Sequence, residues 1–149
     1  MFKHILVPTD GTTLSLKAAR AAMVLARKHA AKVTAIHVIP PWTPPMGAEG
    51  VVYYPESFSP REYKTVTEAE ARRALAKVEA LAKRSRVRCD AIHVTDDAPW
   101  EAIIATARRK KCDLVVMASN GRRGLAGLLL GSETTKVLTH SRVPVLVYR

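Results

Sequence analysis

The sequence predicts an α/β protein: a five-stranded parallel doubly wound sheet with helices on both faces. Two observations carry this. Short β-branched and aliphatic runs alternate along the chain with longer stretches of helical periodicity, the pattern of parallel strands joined by crossover helices. The run at 113–118 is continuously apolar, as a central strand covered on both faces must be.

Residues 3–8 (Lys-His-Ile-Leu-Val-Pro) form the first strand, and Thr9-Asp10-Gly11 the turn that ends it. Residues 14–30 place Ala18, Ala21, Ala22, Leu25 and Ala26 on one helical stripe, whose small side chains suit close packing on a sheet. Residues 32–39 are β-branched and form the second strand. Residues 40–61 hold six of the nine prolines together with Trp42, Tyr53, Tyr54 and Phe58, so a long irregular connection with partial docking is expected. A charged helix over 62–85 buries Ala71, Ala74, Leu75, Val78, Leu81 and Ala82. Residues 87–94 alternate enough to be a partly exposed third strand. Asp97 can cap the next helix, with Pro99 in its first turn and Trp100, Ile103, Ile104 and Ala107 buried, ending near Lys110. After the strand at 113–118, Ser132 opens a helix to about His140, whose imidazole suits the negative end of the dipole. Residues 143–148 form the last strand, and Pro144 places it at a sheet edge or a strand start.

The whole chain, residues 1–149, reads as one domain. A 48 % hydrophobic and 25 % charged composition supports a globular core, and no apolar run reaches membrane-spanning length. The N-terminal residues begin a strand directly, without the features of a signal peptide, so a cytoplasmic location is expected. A net charge of +11 favours anionic partners, yet the basic residues are not gathered on one recognition helix, which argues against nucleic-acid binding as the main role. Cys89 and Cys112 read as small buried hydrophobes, too few for a disulfide framework or a zinc site.

Chemistry concentrates at 114–132. A buried strand leads through Ala118-Ser119-Asn120-Gly121 and a glycine-bearing loop to Gly131-Ser132 at a helix start. Unpaired amides and the helix dipole make such a start a natural phosphate site. In doubly wound sheets ligands bind beyond the carboxyl ends of the strands, where strand order reverses. If the first and fourth strands are neighbours there, Asp10 and the glycine loop face one crevice.

Along nearly its whole length the chain resembles the universal stress protein family. The resemblance is carried by Ile5-Leu-Val-Pro-Thr-Asp-Gly11, by His37-Val38 closing the second strand, by the helix with Trp100, and by Gly131-Ser132 with Pro144-Val-Leu-Val147. The nucleotide-binding branch of that family has a Gly-x2-Gly-x9-Gly-Ser/Thr signature. Here Gly121, Gly131 and Ser132 fit it, Ala118 occupies the first glycine position, and Asn120 stands where relatives often carry His. The resemblance implies strand order 3-2-1-4-5, an adenine nucleotide alpha hydrolase-like fold, and an adenine nucleotide, usually ATP, with Mg2+ as a companion. By position, Asp10 would contact ribose and the Val38 backbone would bond adenine. Pro8 and Thr9 would line the base pocket, Met117 would belong to the nucleotide site, and Ala118, Gly121, Gly131, Ser132 and Glu133 would surround ribose and phosphates. It also implies a homodimer paired through residues 143–148, with an apolar edge strand available for that pairing.

Several of these residues have plainer roles open to them. An Ala at 118 costs about 1 kcal/mol if that position needs a left-handed backbone, and nothing if it is extended. Asp10 can be a turn residue capping the first helix, with Asp10 or Thr12 accepting backbone N–H groups. Glu133 can be a dipole-friendly surface acid; otherwise it repels phosphate unless a divalent cation bridges them or Arg122 and Arg123 offset it. His37 and His93 read as ordinary strand residues. The leading expectation is a nucleotide-responsive stress regulator. A nucleotide-free dimeric scaffold and a slow ATPase are the alternatives, the latter opposed by the lack of a Gly-x4-Gly-Lys-Ser/Thr loop.

Overall fold

The computed structural model describes residues 1–44, 59–120 and 130–149. In chain order these form β1 (His4–Pro8), α1 (Thr13–His29), β2 (Lys32–Ile39), α2 (Pro60–Ser85), β3 (Cys89–Thr95), α3 (Pro99–Arg109), β4 (Leu114–Ala118), α4 (Ser132–His140) and β5 (Val145–Tyr148). The five strands make one parallel sheet in the order β3-β2-β1-β4-β5.

The helices divide between the two faces by strand parity. Ile5, Val7, Val33, Ala35, Leu114 and Val116 meet α1 and α2 on one side, through Ala19, Ala22, Met23, Leu75 and Val78. Leu6, Ile36, Val115 and Met117 meet Ile103 and Ala107 of α3 and Val137 of α4 on the other. β4 is buried at every position, as its unbroken apolar run predicts. β3 and β5 lie at the edges and are only partly covered.

The helix ends explain where the sequence reading shifts. Ser59 and Glu62 form a reciprocal capping box with Pro60 in the first turn, so α2 starts two residues before the charged run at 62. Its C-cap Arg86 is left-handed and Val87 N–H donates to the Ala82 carbonyl, so 87 and 88 belong to the helix exit and β3 starts at Cys89. On α1 the buried stripe is Ser15, Ala18, Ala19, Ala22, Met23 and Ala26, leaving Ala21 and Leu25 half-buried. Leu81, Trp100 and Ile104 are likewise half-buried, while Ala102 and Thr106 join Ile103 and Ala107 beneath α3.

Asp97 does not cap α3. Pro99 sets the first turn, so the N-cap falls on Ala98, and Asp97 is exposed one position too early. Asp96 instead accepts the Ala98 amide through Oδ1 at 2.9 Å. Cys112 is buried and Cys89 half-buried, as small hydrophobes would be. Burial pushes both thiols up to about 11, so neither is a reactive thiolate at neutral pH. Among the described residues no helix is long and apolar enough to cross a membrane.

Candidate functional site

β1 pairs with β2 as far as Pro8–Ile36, but with β4 only as far as Leu6–Val115. The two central strands therefore part at their carboxyl ends, and a cleft of about 210 Å³ opens between them. This is the reversal point of the strand order, where doubly wound sheets take ligands.

Its walls follow from the topology. β1 and the turn after it supply Pro8, Thr9 and Asp10, and β2 supplies Ile36, His37 and Val38. Met117, Ala118 and Asn120 come from β4 and its exit, Pro99 and Ile103 from α3, and Glu133 and Thr134 from α4. Of the residues singled out by sequence, Pro8, Thr9, Asp10, Val38, Met117, Ala118 and Glu133 thus meet in one cavity. Gly131 and the exposed Ser132 stand beside it at the start of α4 rather than on its wall. Gly121, Arg122 and Arg123 lie outside the described residues, as do Tyr53, Tyr54 and Phe58.

The β1–α1 turn is built by side chains. Asp10 Oδ1 accepts from the Thr12 amide at 2.9 Å and from the Thr12 hydroxyl at 2.6 Å. Thr12, not Asp10, is the α1 N-cap, its hydroxyl oxygen accepting the Ser15 amide. Gly11 adopts φ 79°, a left-handed conformation that glycine alone takes without steric cost. Asp10 is thereby fixed at the cleft by the residues that start the helix.

His37 goes beyond its expected part as a plain strand residue. Its buried ring lines the cleft, and Nδ1 donates to the Thr9 carbonyl at 2.9 Å. That carbonyl can only accept, which places a proton on Nδ1. The bond also alters the sheet edge. Ladder polarity alternates along β2, and the Thr9 amide bonds the Ile36 carbonyl, so the amide and carbonyl of Val38 point to the same side. By then β1 has turned away and His37 holds the Thr9 carbonyl. The Val38 backbone edge therefore faces the cleft with one donor and one acceptor.

At the opposite wall Ala118 is the last residue of β4, paired with Tyr148, and it is absent from the residues with a left-handed backbone. Its Cβ carries no conformational penalty. The Ala118 carbonyl accepts the buried Thr134 hydroxyl at 3.0 Å, a contact that locks α4 onto β4. Gly131 has an ordinary φ of −71°, and its distinguishing feature is tight space. A Cβ there would stand 3.2 Å from Asn120 Cα and 3.3 Å from Asn120 Cβ. Its amide donates to the Ser119 carbonyl at 2.7 Å, so it is already committed and is not a free anion donor. The amides of Ser132, Glu133 and Thr134 are the first-turn donors that α4 itself leaves unpaired.

Glu133 is more than a surface acid. Oε2 accepts the Trp100 amide at 2.9 Å, in the first turn of α3, while Oε1 pairs with Lys136 at 3.3 Å. The α3 N-cap, Ala98, has no side-chain cap of its own, and Glu133 substitutes for one from a neighbouring helix. The pair of helices is closed further by the Trp100 and His140 rings, 4.6 Å apart, with His140 Nδ1 donating to the Lys136 carbonyl. Among the described residues no group of His, Cys, Asp and Glu has the makings of a metal cage.

The model of the universal stress protein family matches residues 1–149. Universal stress protein MJ0531 of Methanocaldococcus jannaschii is 33 % identical across all of this chain and 83 % of its own length. Universal stress protein YxiE of Bacillus subtilis is 32 % identical, with both chains covered in full. A universal stress protein crystallised in complex with cAMP superposes with a TM-score of 0.72 at 26 % identity, over 99 % of this chain and 97 % of the other.

Proposed function

The chain belongs to the universal stress protein family, and from that premise we propose that its cleft binds an adenine nucleotide, ATP or a close relative, and that occupancy sets the state in which the protein regulates a stress response. The observation that carries the reading is the backbone edge of Val38, presented to the cleft where β1 ends. One amide and one carbonyl on the same residue match the acceptor and donor that adenine offers along its own edge. The apolar surfaces of Ile36, Met117 and Ile103 suit the faces of the base. A relative at 26 % identity holds cAMP, an adenine nucleotide.

In this reading Asp10 accepts from ribose hydroxyls, Pro8 and Thr9 border the base, and the phosphates turn toward the α4 N-terminus beside Ala118. The first-turn amides of Ser132 and Glu133 there carry a partial positive charge. Gly121 is proposed on the phosphate side by its place in the signature. The Gly131 contribution is spatial: with no Cβ it lets the α4 start close against Asn120. A Mg2+ ion would arrive with ATP, since among the described residues no group of His, Cys, Asp and Glu could hold a metal by itself. The protein is a binding module in this proposal, acting in the cytoplasm as a homodimer, and any signal comes from differential affinity between states.

The test is mass analysis of small molecules released by heat from freshly purified protein, followed by calorimetry with ATP and Mg2+. An adenine nucleotide in the extract, or a saturable heat of binding, is the expected result. An empty extract together with a flat titration overturns the proposal and selects a nucleotide-free dimeric scaffold.

A further inference from the structure

Glu133 has a side chain on the cleft wall that is already bound to protein on both oxygens. Its tether to the Trp100 amide fixes it in place, and its partner Lys136 is half-exposed, at 48 %. The carboxylate thus stands where the phosphates of a bound nucleotide would approach the α4 N-terminus. Asp10, across the cleft, is a second acid. We propose that Glu133 is a specificity-determining residue that makes the cleft discriminate among adenine compounds by phosphate charge, favouring adenosine and singly charged phosphodiesters over uncomplexed triphosphate. The inference rests on the adenine-nucleotide reading above and adds to it the class of ligand that the cleft prefers.

The physics is that of a fixed charge beside a low-dielectric wall. The Glu133 carboxylate is tethered by the Trp100 amide and the Lys136 ammonium group, with 38 % of its side chain open to solvent. Each added phosphate charge then meets the same repulsion, which among the described residues Lys136 and the helix dipole oppose. Adenosine has no charge to repel. Complexation of triphosphate by Mg2+ lowers the charge that Glu133 meets, so the discrimination is greatest in the absence of divalent ions. Salt weakens it, because the partner lysine and the cleft mouth are open to solvent.

The experiment compares dissociation constants for adenosine and for ATP, in chelator and low salt, across the natural protein, Glu133→Gln and Lys136→Ala. Glutamine keeps an acceptor for the Trp100 amide, so the cap on α3 survives while the charge goes. The ratio of the ATP constant to the adenosine constant should fall about tenfold in Glu133→Gln and rise about threefold in Lys136→Ala. Equal ratios in all three proteins overturn the inference and leave the nucleotide reading standing. Absence of adenosine and ATP binding to the natural protein overturns both. A purely structural Glu133 would instead weaken both ligands together, which also counts against discrimination.

Discussion

His4 opens β1 with both ring nitrogens in use. Nδ1 donates to the Lys110 carbonyl at 3.0 Å, and Nε2, 2.8 Å from Thr34 Oγ1, is left to accept that hydroxyl. Burial, reinforced by Lys32, holds its pKa below the ordinary 6.5; the Lys110 carbonyl, Asp113 and Asp90 pull weakly the other way. The unfolded chain therefore takes up a proton near pH 6.5, and the folded chain only at lower pH. The stability tied to neutral His4 is fully present above pH 6.5 and is lost as pH falls through the folded value. Thermal melts from pH 8 to pH 5 should show a declining midpoint below about pH 6.5, with a shallower decline in His4→Gln, whatever that variant's starting stability. Equal slopes would remove His4 from the acid response. The same scale shows what a sequence conceals. His4 and His37 stand in apolar runs like ordinary strand residues, and only tertiary partners give them their tautomers. Asp10 was legible because a carboxylate after a first strand sits where the sheet reverses. The commitment of the Gly131 amide to Ser119 was not, because spacing reveals a glycine but not the carbonyl it meets.

At the level of elements, periodicity located every strand and helix among the described residues, and local chemistry moved their ends. The helix after β3 is the clearest case. A capping rule applied to sequence selects Asp97, yet Pro99 fixes the first turn and hands the flanking bonds to Asp96 and Glu133. The second of these is supplied from a segment 33 residues away, which no local pattern can reveal. The two aspartates consequently separate in consequence. Asp96→Ala removes the acceptor of the Ala98 amide and should cost about 1 kcal/mol. Asp97→Ala touches an exposed side chain and should stay within about 0.5 kcal/mol of the natural protein. Urea titrations of the two variants decide it, and the reverse order would restore Asp97 as the cap. Because α3 borrows its cap from α4, the cleft wall is shared by two helices joined through Glu133. The Trp100 and His140 contact has the same effect.

For the whole molecule, the strand order was legible because alternation, resemblance and the single central apolar run agree. Assembly is a different matter, since it depends on what the sheet leaves open. β5 ends the sheet on the β4 side. The Val115 and Ser119 amides bond the Pro144 and Tyr148 carbonyls, so even-numbered residues of β5 turn their polar groups inward and Val145 and Val147 turn theirs outward. Pro144, immediately before the strand, lacks an inward donor rather than an outward one and leaves that edge competent. Leu146 is 36 % exposed on a strand otherwise made of Val and Tyr. An uncharged edge that no described strand pairs is a template for a second strand, and a two-fold axis lets the same edge serve both copies. A homodimer through residues 143–148 is the resulting prediction. Light scattering at micromolar concentration should give twice the 16.3 kDa of the chain. Val147→Pro removes an outward amide while sparing the bonds to β4, so it should yield a monomer with a nearly unchanged melting temperature. A natural protein that scatters as a monomer, or a proline variant that remains a dimer, would move the interface away from β5.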